Sequence, residues 1–160
     1  MPRLTVWVDA DSCPTRVREI ICAASTRRGV DAVFVANRKI PLPPSPRVSA
    51  VVVEEEDQSA DAYLVEHAQS GDLTVTRDIP LAAQLVDAGL TVLNDRGDVF
   101  TEANVRERLS IRDHMYELRT SGILVSEQSR YGKREIFRFA NAFDRELTRA
   151  LNQKSTDSTL

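Results

Sequence analysis

Five short apolar runs alternate with segments of helical periodicity across residues 4–94, and this alternation limits the fold more than any other feature. The runs are LTVWVD (4–9), AVFVA (32–36), VSAVVV (48–53), LTVT (73–76) and LTVLN (90–94). Each is apolar on both faces, without the polar alternation of a strand half-exposed to water. Between them, Val17, Ile20, Ile21 and Ala24 recur at helical spacing before Gly29. Residues 58–69 and 80–88 read as helices stopped by Gly71 and Gly89. Strands alternating with helices in this way predict a parallel sheet covered on both faces. Right-handed crossovers then bring the carboxyl ends of the strands to one edge. In such sheets the ligand crevice lies just beyond those ends. The segment NRKIPLPPSPR (37–47) carries four prolines and reads as a loop.

After residue 97 the pattern becomes helical. Thr101 is placed to cap a helix running to about residue 119. The reading divides the chain into an α/β domain over 1–122, a linker over 123–134, a C-terminal amphipathic helix over 135–152 and a frayed tail over 153–160. In that last helix Ile136, Phe139, Ala140, Phe143, Leu147, Ala150 and Leu151 fall on one stripe. The stripe either docks on the domain's own core or makes a homodimer contact. No apolar run approaches the roughly 18 residues of a membrane span, so no membrane partner is expected. The N-terminus shows no basic-then-apolar leader, and the expected location is cytoplasmic. Cys13 and Cys22 fit that setting as free thiols, both read on the first helix. The net charge of −3 does not announce a nucleic-acid binder. Residues 1–100 hold 10 basic against 15 acidic side chains, so the acidic excess lies in the part that forms the sheet.

The carboxylates of that part fall at telling places. Asp9 stands where the first strand should end, and Asp11 follows two residues later. Helix capping by Asp11, Ser12 or Cys13, with Pro14 in the first turn, would use one of these groups and leave Asp9 without a role. In DQSADAYLVEHA (57–68), Asp61 lies on the apolar helical face with Leu64 and Val65, one turn after Asp57. Asp57 has a capping explanation, and Asp61 a first-turn one. A third strand end, TVTRDIP (74–80), places Thr76, Arg77 and Asp78 before another helix, which Asp78 could cap. A parallel sheet brings Asp9, Asp11 and Asp78 to one edge, with Asp61 approaching from a helix start. Carboxylates forced together repel, and Mg²⁺ or Mn²⁺ relieves that repulsion. An all-oxygen donor set argues against zinc. His67 and His114 show no ligand spacing and read as helix-face residues.

Several chemistries fit such an edge. Metal-assisted phosphodiester hydrolysis is one. An aspartate-nucleophile phosphatase is another, since DADSC has the D-x-D spacing. That reading needs a later lysine and a paired acid, and the only lysines are Lys39, Lys133 and Lys154. A third alternative is a catalytically silent module that binds RNA or a nucleotide. Arg38, Lys39, Arg47, Arg77 and Arg96 sit in loops or at strand mouths, where they could meet phosphates or simply serve solubility.

The stretches VDADSCP (8–14), DQSADAYLVEHAQSGDLTVTRDIPLAAQLVDAG (57–89), VLNDRGDVFTEANV (92–105) and LSIRDHMYELRTSG (109–122) resemble the bacterial YaiI/YqxD family. That family carries no established activity. The resemblance implies a PIN-like three-layer domain, and PIN-like domains place acids at the positions of Asp9 with Asp11, Asp61 and Asp78. It further implies a metal-dependent ribonuclease, although some PIN-like domains are inactive. On this reading Asp9, Asp61 and Asp78 hold Mg²⁺ or Mn²⁺, and Asp11 is a ligand or orients the attacking water. Ser12, Thr76 and Arg77 face the phosphate, with Arg38 and Arg96 as further substrate contacts. The segment LVSEQSRYGKRE (124–135) departs from the family in lacking a Gly-Pro stretch, and REIFRF (134–139) departs from a second family pattern.

Overall fold

A computed structural model describes residues 3–55, 59–122 and 131–158. The elements run β1 (Thr5–Asp9), α1 (Thr15–Arg28), β2 (Asp31–Ala36), β3 (Val48–Val52), α2 (Ser59–His67) and β4 (Leu73–Val75). They continue with α3 (Ile79–Asp87), β5 (Thr91–Leu93), β6 (Val99–Phe100), α4 (Glu102–Thr120) and α5 (Lys133–Ser158). One sheet takes the order β3-β2-β1-β4-β5-β6. Every pairing is parallel except β5 with β6. The apolar runs of β1, β2, β4 and β5 thus become strands buried or half-buried along their length, whereas β3 at the sheet edge is half-exposed. The result is a three-layer α/β domain of the PIN-like kind.

β1 is the switch point of the sheet. The chain moves outward from it through β2 to β3, then crosses back to place β4 on its other side. A crevice opens beyond the carboxyl ends of β1 and β4, as such a switch demands. One core layer joins Val6, Val8 and Phe34 of the sheet to Ile21 of α1 and to Phe139, Phe143 and Leu147 of α5. The other joins Val35 and Val92 to Leu64 of α2, Leu81 and Leu85 of α3, and Val105 of α4. Among the described residues, no helix is long and apolar enough to cross a membrane.

The C-terminal helix is longer than its apolar stripe suggested, and it packs inside the fold. It begins at Lys133 and continues through Ser158, across most of the tail that reads as frayed in the sequence. Phe139, Ala142, Phe143, Leu147 and Ala150 are all buried against the sheet and α1. Most of the stripe therefore packs on the chain's own core, while Ile136, Ala140 and Leu151 are half-buried. Gly97 shows how closely the parts fit: its φ is +86°, and a Cβ there would lie 2.7 Å from the Arg138 carbonyl oxygen of α5.

Two local features differ from the sequence reading. Residues 94–100 form a turn and an antiparallel strand, β6, which is too short to show periodicity. The turn is held by the Asn94 side chain, whose Oδ1 accepts from the N–H groups of Arg96 and Asp98. Cys13 lies in the turn before α1, not on the helix with Cys22, and both are buried free thiols. The expected cap at Asp57 and most of the expected linker lie outside the described residues.

Candidate functional site

The strand ends deliver their carboxylates to the crevice through separate hydrogen bonds. Asp9 closes β1, and its Oδ2 accepts from the Thr76 hydroxyl at 2.9 Å. The same Thr76 oxygen accepts from the Asp78 N–H at 3.1 Å. Thr76 is buried, so this one hydroxyl ties the two aspartates together across β1 and β4. The hydroxyl read from the sequence as a phosphate contact is thus engaged with both aspartates. Asp78 caps α3: its Oδ1 accepts from the Leu81 N–H at 3.0 Å. Pro80 follows in the first turn, where the missing N–H costs nothing.

Asp11 does not cap α1. The residue at that cap is Pro14, with no side-chain cap bond. Both oxygens of Asp11 instead accept from the Asn37 N–H, each at 3.1 Å, which joins the β1 turn to the end of β2. Asp61 projects from the first turn of α2 into the same crevice. Its carboxyl comes close enough to Asp78 and Asp9 for their charges to act on it.

The electrostatics follow from this crowding. Burial pushes the Asp9 carboxyl above its usual range; the Thr76 bond opposes that push, and the charges of Asp78 and Asp11 add to it. Asp61 is pushed up to about 6, first by burial and then by the charges of Asp78 and Asp9.

The crevice encloses about 820 Å³ and is lined by Asp9, Asp11, Asp61, Asp78 and Glu55, with Ser12, Asn37, Ser59, Arg77 and Arg112. Arg77 is braced at its base. Its Nε lies 3.3 Å from Oδ2 of Asp95, a buried carboxylate, and its Nη1 donates to the Ser12 carbonyl at 3.4 Å. Burial raises the Asp95 carboxyl, and the Arg77 and Arg96 charges pull it back. The Arg38 Nη2 donates to the Asp11 carbonyl at 3.4 Å, on the rim. Arg96 does not line the crevice. It lies 3.9 Å from Glu135 and stacks over the Tyr131 ring, against α5.

Asn37, Glu55, Ser59 and Arg112 escaped the sequence reading. Nothing in their local sequence marks them, because loops and α4 bring them to the crevice from distant parts of the chain. Asp95 escaped as well, being one residue past an apolar run and buried only in the folded chain. His67 and His114 stand on helices as expected, and the His67 Nδ1 lies 2.9 Å from the Tyr63 carbonyl oxygen.

Among the described residues, no group of three or more His, Cys, Asp or Glu side chains is placed to hold a metal ion. The donor chemistry of the open edge nonetheless fits a hard cation: the converging groups are carboxylates, and Asp9 and Asp61 both pay for lying near their neighbours' charges.

A family model described as "Uncharacterized BCR, YaiI/YqxD family" matches residues 7–149. The chain belongs to the YaiI/YqxD family. It is 51% identical over 148 residues to a UPF0178 protein of Treponema pallidum (strain Nichols), covering 92% of this chain and 84% of that one. A UPF0178 protein of Treponema denticola is 47% identical over 155 residues, 97% of this chain and 99% of the relative. One from Myxococcus xanthus (strain DK1622) is 51% identical over 146 residues, 91% and 95% of the two chains. No solved structure matches. The family match spans every residue placed in the crevice, from Asp9 to Arg112.

Proposed function

We propose that the crevice hydrolyses phosphodiester bonds, in RNA, with the help of Mg²⁺ or Mn²⁺. The observation that carries this reading is the meeting of Asp9, Asp61 and Asp78 from three separate elements, with arginines on the crevice wall. Asp9, Asp61 and Asp78 would hold the cation. The chemistry such a cation supplies is polarisation of the scissile phosphate and acidification of a water molecule.

The chain's own residues prepare the rest. Thr76 fixes the spacing of Asp9 and Asp78, and the α3 cap bond fixes the rotamer of Asp78. Asp11, held by the Asn37 N–H, stands where it can orient a water at the crevice edge. Arg77 lines the crevice with its Nε held by Asp95 and its Nη1 by the Ser12 carbonyl, which fixes the guanidinium charge where a phosphate would sit. Arg112 lines the wall from α4 and Arg38 stands on the rim, where each can take a flanking phosphate.

A second reading keeps the same surface as a silent module that binds RNA or a nucleotide. It is favoured by the bonds that already engage an oxygen of Asp9 and one of Asp78. Incubation of labelled single-stranded and structured RNA with Mn²⁺ separates the two. Hydrolysis should be lost in the Asp9→Asn, Asp78→Asn double variant. Binding without cleavage in the wild type favours the silent module, and equal cleavage by wild type and variant refutes the nuclease reading.

A further inference from the structure

Among the described residues, nothing pairs with the outer edge of the sheet. β3 lies at one end of the strand order, paired only with β2. Its sequence and flank, VSAVVV (48–53), contain no charge and no proline. Natural sheets normally guard such an edge with lysine, proline or a bulge. Here Ser49 and Ala50 are exposed and Val52 is 56% exposed.

The hydrogen-bond pattern shows which backbone groups are free. Ala32 N–H donates to the Arg47 carbonyl at 2.9 Å, and Val53 N–H donates to the Ala36 carbonyl at 2.8 Å. Alternation along a strand then turns Arg47, Ser49, Val51 and Val53 towards β2. Ala50 and Val52 point their N–H and C=O groups away from the sheet. Val48 also points outward, but its N–H is taken by the Ser45 carbonyl at 3.3 Å.

The charges at the strand's two ends are opposite. Arg47 precedes β3, and Glu54 and Glu55 follow it. In a parallel pairing of two such edges, like charges would meet at both ends, which destabilises cross-strand pairs. In an antiparallel pairing, each Arg47 meets the acidic end of the other copy. Arg47 has one partner within its own chain, Asp31 at 3.4 Å, and that pair is exposed enough to be shared.

We propose that two copies of this chain pair through β3, antiparallel, about a two-fold axis at Val51. In that register Ala50 of each copy lies opposite Val52 of the other, so the free backbone groups of both residues are used and none already bonded is needed. Arg47 of one copy stands opposite Glu55 of the other. Two six-stranded sheets become one continuous sheet, and the isologous contact closes the assembly at two copies. Glu55 also lines the crevice, so the pairing brings a basic side chain of one copy to the crevice rim of the other. This inference stands independently of the proposed hydrolysis.

Sedimentation velocity from about 1 to about 200 µM, with amide exchange measured on the peptide covering 48–53, tests it. A dimer should form over this range, and exchange at Ala50 and Val52 should slow as it does. Val52→Lys should leave the protein monomeric with an unchanged circular dichroism spectrum. Arg47→Glu and Glu55→Arg should each weaken the dimer about tenfold, and the two together should restore it. A monomer throughout, an open-ended oligomer, or a dimer indifferent to the charge exchange and to exchange protection at 48–53 would overturn the proposal.

Discussion

Replacing Asp61 by Asn should stabilise the metal-free protein, in a manner that depends on pH. Asp61 is pushed up to about 6 by burial and by the Asp78 and Asp9 charges, against about 3.9 in an unfolded chain. The native state therefore binds a proton more tightly than the unfolded state. Below about pH 4 the group is protonated in both states and costs nothing. As pH rises from about 4 to about 6, the unfolded state ionises first, so stability falls, and the full cost stands above about pH 6. An undiscounted conversion gives about 3 kcal/mol. Asp61 is only partly buried, and solvent screening reduces this to about 1–2 kcal/mol. Asn keeps the size and polarity of the side chain and carries no charge to repel Asp78 and Asp9. In chelator at about pH 7.5 the variant should gain roughly 3–6 °C in Tm, given the usual scaling for a chain of this size. At about pH 4 the gain should vanish. Urea unfolding at both pH values provides the free energies. A loss of stability at neutral pH, or a gain that is the same at both, would refute the account of crowded carboxylates.

Thr76→Val keeps the buried shape but removes the hydroxyl that serves both Asp9 and the Asp78 N–H; urea unfolding should show a loss of about 1–3 kcal/mol. Gly97→Ala places a Cβ against the α5 backbone at a positive φ, and thermal unfolding should show a cost of about 1–3 kcal/mol; a neutral result would mean that α5 is not seated on the 94–100 turn. The thiols of Cys13 and Cys22 are pushed up to about 12 and about 11 by burial. At about pH 8 both should react with a disulfide reagent only as fast as the chain opens, and rapid labelling of the native protein would contradict their placement.

The alternation of apolar runs made the parallel sheet legible, because a strand buried on both faces has no other sequence signature in a chain with helices between its strands. Three of the crevice acids were legible for a related reason: Asp9 and Asp78 end such runs, and Asp61 interrupts an apolar helical face. The bonds that support them were not legible. Thr76 was read as a phosphate contact at the strand mouth, and its two bonds escaped because they exist only when β1 and β4 are adjacent. Asp11 was legible at the crevice edge but kept a capping alternative, because capping is a local act and its actual partner, the Asn37 N–H, lies 26 residues away. The last helix looked like an appendage because a sequence shows an apolar stripe without showing what covers it. Phe139 and Phe143 find that cover in α1 and the sheet. Arg96 looked like a crevice residue because it follows a strand, yet the 94–100 turn carries it towards α5.

The central claim is that Asp9, Asp61 and Asp78 together hold a divalent cation. Crystals grown with millimolar Mn²⁺, with data collected for anomalous scattering, test it most directly. The account predicts an anomalous peak among these three carboxylates that disappears in Asp9→Asn, Asp78→Asn crystals. A crevice with no peak, or a peak that survives the double substitution, would contradict it.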